Sequence, residues 1–272
     1  MSGEVRPASV KLTSDWMAVI RAREHAQPDA YLHDPCAAAF VTPASEAALD
    51  VIQAAGLPSP IVPIRGRLGD ITLLESGLKQ VVCLGAGTDA RPYRLPVPPD
   101  LAYFEVDLPG QLDGKTELLK AAGFQARCEV RVVEADLRAG WTDALLAAGY
   151  SPAEPAHWIA EGLFYYLTPA EGTALLSAIS ELAAQGSWLT FDGPHVRFLT
   201  DPAKAGFHHQ MRERGAPFVG SFTDPVELLA PHGWSAQAVV HRDLAACAWL
   251  PKPPARLLNP GLDLWLARAH RR

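Results

Sequence analysis

What is scarce in these 272 residues narrows the reading before any motif does. There are four cysteines, Cys36, Cys83, Cys128 and Cys247, and no two stand as Cys-x-x-Cys. That pattern offers neither a disulfide framework nor a zinc knuckle, and implies free, mostly buried thiols in a reducing compartment. No apolar run reaches the ~18 residues of a membrane helix, and the N-terminal stretch holds no apolar signal core. The expectation is a cytoplasmic protein without a membrane partner. Basic blocks are missing as well. The formal net charge is −6, and Arg268, His270, Arg271 and Arg272 make only a small tail that reads as solvated. A phosphate-backbone binder needs more, so no nucleic-acid partner is expected. There is no Gly-x-x-x-x-Gly-Lys-Ser/Thr loop and no serine nucleophile elbow. His208 and His209 are adjacent, which is not ligand spacing on one helix face, so no metal is expected.

What is present is a core. Hydrophobic residues make up 49% and charged residues 20%, which excludes a disordered chain and suits one large α/β domain. The organising stretch is Gln80 to Asp107. Val81-Val82-Cys83-Leu84 reads as a buried parallel strand. It runs into Gly85-Ala86-Gly87, where glycine lets the backbone turn sharply and a ligand approach the main chain. About 20 residues on, a second strand closes on Asp107, the position from which an acid can accept both hydroxyl hydrogens of a ribose.

Before this stretch comes a helical preface over about 13–78. Residues 1–12 are expected to be loose. Helices are expected at 13–26, 36–40, 45–55 and 64–76, the last carrying Arg65, Arg67 and Asp70. Dinucleotide-binding dehydrogenases usually open with their glycine turn, so this preface argues against one. After Asp107, a helix should start at Pro109 and run to about 122. Strands follow at 129–134, 156–160 and 187–192, with helices at 141–148 and 170–184 between them. Residues 194–222 read as an insertion or substrate lid, and 223–272 as a closing helix and strand pair. Alternation of this kind predicts a single α/β domain, with a seven-stranded, mostly parallel, Rossmann-like sheet covered by helices on both faces.

The strand tips then fall on one rim: Gly85–Gly87, Asp107, Asp136 and Glu161. Each acid has a plainer reading as a helix N-cap, but three on consecutive tips beside a glycine turn form a set. A pyrophosphate would be repelled there. A ligand with a ribose, a neutral base and a positive centre fits, and S-adenosyl-L-methionine is such a ligand. Asp107 would take the ribose, and Asp136 with the Leu137 backbone the adenine edge. Arg65 or Arg67 would grip the carboxylate.

Several runs resemble the leucine carboxyl methyltransferase superfamily, and within it the bacterial polyketide O-methyltransferase branch. They are RGRLGD from Arg65, QVVCLGAGTDARPYRL from Gln80, YFEVDLPGQLDGKTELL from Tyr103, EADLRAG from Glu134 and EGLFYYLTPAEGTALL from Glu161. The N-terminal RAREHAQPDAYLHDPCAAAF is similar too. The resemblance is strong over about 12–192 and loose beyond. It implies a class I methyltransferase fold, with the cofactor's carboxylate on Arg65 and its methionine end at Gly85. The ribose falls on Asp107 and the adenine on Asp136 and Leu137, with Glu161 near the amino group and sulfonium. Thr88 departs from the family, which often has an aliphatic residue there, and Ala90 stands where threonine is common.

The implied enzyme transfers a methyl group to a hydroxyl of a small molecule, such as a polyketide or other secondary metabolite. A phenol or alcohol usually needs a base; His195, just past the fifth strand, is the first candidate, followed by His208 and His209 in the insertion, and the plainer reading of each is a surface or core histidine. Tyr165 and Tyr166 are candidate substrate contacts, or simply pocket wall. Rival readings are a carboxyl methyltransferase acting on a small acid or a protein terminus, and a protein that binds the cofactor without transfer. A nicotinamide oxidoreductase is disfavoured by the acidic rim. The sequence does not give the acceptor's identity or the oligomeric state.

Overall fold

The computed structural model describes residues 7–272. Seven strands make one sheet in the order β3-β2-β1-β4-β5-β7-β6. They are β1 Gln80–Leu84, β2 Ala102–Asp107, β3 Glu129–Glu134, β4 Ala156–Ala160, β5 Trp188–Pro194, β6 Trp234–Val240 and β7 Leu264–Arg271. β1 to β5 are parallel, and β7 runs antiparallel between β5 and β6. The helices are α1 Pro7–His25, α2 Pro43–Ala54, α3 Ile61–Ser76, α4 Arg91–Arg94, α5 Lys115–Ala121, α6 Trp141–Ala147, α7 Pro169–Leu182, α8 Val196–Thr200, α9 Ala205–Glu213 and α10 Pro225–Leu229.

The period of two along the central strands divides the core. Val82, Phe104 and Trp158 pack on one face with Leu145 of α6 and Leu176 and Ile179 of α7. Val81, Cys83, Tyr103 and Ile159 turn the other way and pack with Leu73 of α3. Every residue of β1 and of β4 is buried, the polar Gln80 and His157 included, as expected of parallel strands covered on both faces. Trp158 is fully buried, and truncating it to alanine would cost about 3–5 kcal/mol.

Most expected elements appear within a residue or two. Two differ. Residues 7–12, expected to be loose, are helical; Pro7 suits a first helical turn and nothing breaks the run before Pro28. Residues 1–6 lie outside the described part. The helix expected from Pro109 begins only at Lys115, because Gly110 and Gly114 adopt φ of 78° and 72° and carry the chain through turns first. The chain leaves β1 toward β2 on one side, and β4 lies on the other. The crevice where strand order reverses therefore opens beyond the carboxyl ends of β1 and β4.

Candidate active site

The glycine turn is built by hydrogen bonds as much as by its residue types. Gly85 and Gly87 have φ of 68° and 43°, left-handed values that favour glycine. Gly85 N–H donates to Val106 O at 2.8 Å, and Gly87 N–H donates to Asp107 Oδ2 at 2.8 Å. The other carboxylate oxygen accepts from Leu108 N–H at 2.8 Å. Asp107 is thus locked at the tip of β2. Burial raises its pKa, against the pull of those two backbone bonds.

A cavity of about 200 Å³ starts at this turn. Of the expected site residues, Arg65, Gly85, Ala86, Gly87, Asp107, Asp136, Leu137, Glu161, Tyr165 and Tyr166 all line it. Their attachments differ from the simple picture of free side chains. Arg65 donates through Nη1 to Asp192 Oδ2 at 2.9 Å, and its guanidinium lies against Gly162, where a Cβ would crowd it. Asp192 also accepts from Gly162 N–H at 2.7 Å and from the Tyr165 hydroxyl at 2.6 Å. Asp136 is held by Arg138 through both oxygens, at 2.7–3.2 Å. Its carboxylate is therefore already engaged, and that hydrogen bond keeps its pKa low.

Glu161, at the end of β4, accepts from Arg91 Nη2 at 2.6 Å. Its side chain keeps 16% of its surface exposed. Burial pushes its carboxyl up to about 7, although Arg91 and Arg65 pull it down. Arg91 was not expected in the site. It is 1% exposed and also bonds Asp70, Asp89 and the Gly66 carbonyl. The available signal was its place four residues past the turn, where a charged residue opens a short helix. Arg67 is not on the cavity wall.

Two expectations of position fail. His195 does not line the cavity. Its Nδ1 accepts from Arg197 N–H at 3.0 Å, capping α8, and its ring lies 5.6 Å from that of Trp265. β5 continues through Pro194 in register with Leu264 of β7, which carries the chain past the crevice before His195 is reached. His208 is buried against Phe198 and bonds its carbonyl. Among the described residues no cluster of three His, Cys, Asp or Glu could hold a metal ion. No helix there is long and apolar enough to cross a membrane.

The far half of the cavity is apolar. α1 contributes Trp16 and Met17, the approach to α3 contributes Leu57 and Ile61, and Met211 and Phe218 close it. α1 is tied onto the glycine turn. Thr88 N–H donates to Ser14 Oγ at 3.0 Å, Thr88 Oγ1 donates to Ser14 O at 3.1 Å, and Arg21 Nη2 donates to Thr88 O at 2.7 Å and to Thr88 Oγ1 at 3.0 Å.

The donor set fits S-adenosyl-L-methionine. A bare glycine turn faces a fixed acid, a partly exposed carboxylate suits a cation, and a guanidinium edge suits a carboxylate. Sheet order and site together define a methyltransferase of the Rossmann-like kind. Comparison with known proteins names the family. Residues 15–180 match the leucine carboxyl methyltransferase family, and the chain belongs to it. A candidate S-adenosyl-L-methionine-dependent methyltransferase of Streptomyces avermitilis is 38% identical over 274 residues, covering 94% of this chain and 95% of that one. One from Parafrankia sp. is 35% identical, covering 85% of this chain and 79% of that one. The solved structure of a candidate methyltransferase from Thermobifida fusca has the same fold. It aligns with a TM-score of 0.63 at 20% identity, over 100% of this chain and 96% of that one.

Proposed function

We propose that this S-adenosyl-L-methionine-dependent methyltransferase moves the methyl group to an oxygen of a small, largely apolar molecule. A hydroxyl of a polyketide or other secondary metabolite is the first candidate. The observation that carries the reading is the continuity of one cavity, from the glycine turn with its acids and Arg65 to the wall of Trp16, Met17, Met211 and Phe218. The cofactor supplies a methyl group on a sulfonium, ready for in-line displacement. The chain's part is to hold, align and keep dry. Asp107 accepts the ribose hydroxyls while its backbone bonds fix its rotamer. Leu137 lies at the adenine edge, with Asp136 screened by Arg138. Glu161 receives the ammonium, and Arg65 offers the carboxylate its edge at Gly162. Tyr165 and Tyr166 border the acceptor.

A second reading, methyl ester formation on a small acid, is favoured by one further observation. The phenols beside the apolar compartment are poor bases. Burial and Asp192 hold the Tyr165 proton on, and burial pushes Tyr166 up to about 12. An ionised carboxylate would need no base.

Titration of S-adenosylhomocysteine into the purified protein tests the cofactor half. Micromolar binding that weakens more than tenfold in Asp107→Ala is expected; unchanged affinity sinks that assignment. Labelled cofactor with a panel of apolar phenols and acids tests the rest. A base-stable labelled ether supports the hydroxyl reading, and a base-labile product the ester.

A further inference from the structure

Four groups meet at the end of β4 that the transfer itself does not explain. Arg91 is buried on the inner side of Glu161, and its guanidinium is spoken for on every edge. Nε donates to Asp70 Oδ1 at 2.8 Å, Nη1 pairs with Asp89, and Nη2 donates to Gly66 O at 3.0 Å and to Glu161 Oε1 at 2.6 Å. Asp70 is gripped in turn by Arg94 through both oxygens at 2.6 Å. Arg91 therefore has no freedom to follow a moving partner. The fourth group is an absence of atoms. Gly69 of α3 faces the Arg91–Glu161 contact, and a Cβ there would overlap both Glu161 Oε1 and Arg91 Nη2. Gly69 is helical with ordinary φ, so its bareness serves this approach and not a turn.

We propose that Arg91 is a positioning residue: seated by Asp70, Asp89 and the bare Gly69, it fixes the Glu161 carboxylate at the cavity wall and keeps it ionised to receive a cationic group. This rests on the reading that Glu161 receives the ammonium of the cofactor. The charges facing Glu161 are Arg91 and Arg65, which favour its ionised form, and Asp89 and Asp192, which oppose it. Arg65 is committed to Asp192, so Arg91 supplies the only direct hydrogen bond to Glu161 recorded among the described residues. Losing that charge-assisted bond lets the carboxyl take up its proton at a higher pH than in the native protein.

The test is calorimetric, with two ligands. S-adenosylhomocysteine carries the ammonium; 5′-methylthioadenosine keeps the nucleoside and thioether but lacks it. In the native protein, S-adenosylhomocysteine affinity should fall as pH drops from 8 through about 7, approaching tenfold per pH unit on the acid side. 5′-Methylthioadenosine affinity should stay flat. In Arg91→Lys, the ammonium cannot keep all four partners, and the midpoint should move up by about one pH unit. Gly69→Ala should do the same with no change in charge, since its Cβ presses on the Arg91–Glu161 contact, and circular dichroism of both variants checks that they fold. An unmoved midpoint in a folded variant overturns the proposal while leaving the cofactor reading intact. Parallel losses for both ligands also overturn it, since they signal collapse of the whole turn. A flat profile for S-adenosylhomocysteine in the native protein removes Glu161 as the cation seat, and the proposal with it.

Discussion

Thr88→Val should loosen α1 from the glycine turn. The side chain is 8% exposed, and valine matches its shape, so the change isolates the hydroxyl. Three bonds are lost: Oγ1 to Ser14 O at 3.1 Å, Arg21 Nη2 to Oγ1 at 3.0 Å and a long, weak one from Ser14 Oγ to Oγ1 at 3.4 Å. A neutral bond contributes about 1 kcal/mol and one to a charged group about 1.5–3 kcal/mol. Arg21 keeps the Thr88 carbonyl and Asp34, so the lower end applies to it. The sum is about 2.5 kcal/mol, roughly a seventyfold shift in the opening equilibrium of the helix. Native-state hydrogen exchange of the α1 amides reads this directly. They should exchange roughly seventyfold faster while the amides of β1 and β4 do not change, and Thr88→Ser should restore protection. Equal protection in Thr88→Val would refute the reasoning and leave the bonds from Thr88 N–H to Ser14 Oγ and from Arg21 to the Thr88 carbonyl as the attachment. Because α1 contributes Trp16 and Met17 to the apolar compartment, a loosened helix should also weaken retention of an apolar acceptor more than of S-adenosylhomocysteine.

Two further outcomes follow from other residues. His195→Ala should leave S-adenosylhomocysteine affinity within twofold and, once an acceptor is found, leave turnover of the same order; a hundredfold loss would return the histidine to the chemistry. His157 is fully buried, and burial followed by the charge of Arg91 lowers its pKa to about 3. An unfolded histidine titrates near 6.5, so between about pH 6.5 and 3 the unfolded chain binds the extra proton. Stability is therefore lost as pH falls through that window, and His157→Gln should flatten that part of a denaturation series.

The cofactor half of the fold was legible because its signals are local. β1, the turn and Asp107 lie within 28 residues of one another, and periodicity, glycine and one acid suffice to order them. The partners of those residues were not legible. Arg65 meets Asp192 across 127 positions, and Ser14 meets Thr88 across 74. Nothing in the local residue pattern marks either pair. The departure at Thr88, an oxygen where an aliphatic residue is common, carried information that only the position of α1 explains. His195 was misplaced by extending the strand-tip rule to β5. That rule holds where parallel strands end together at a crevice, and β5 is instead prolonged by its antiparallel pairing with β7.

The acidic rim therefore has a different meaning in the fold than in the chain. Read in sequence order, Asp107, Asp136 and Glu161 are three carboxylates offered to a ligand. In space each has a separate constraint: backbone amides hold Asp107, Arg138 occupies Asp136, and Arg91 anchors Glu161. Asp107 alone accepts only from backbone amides, an arrangement that would suit two further hydroxyls. Glu161 is the carboxylate that burial pushes up to about 7, so it is the one whose proposed occupancy by a cation should depend on pH. Asp136 is cancelled by its neighbour, which suits an uncharged base. On the proposed reading, the graded charge along one rim, bare at the ribose, tunable at the ammonium and cancelled at the adenine, would separate a site for a sulfonium nucleoside from a mere row of acids.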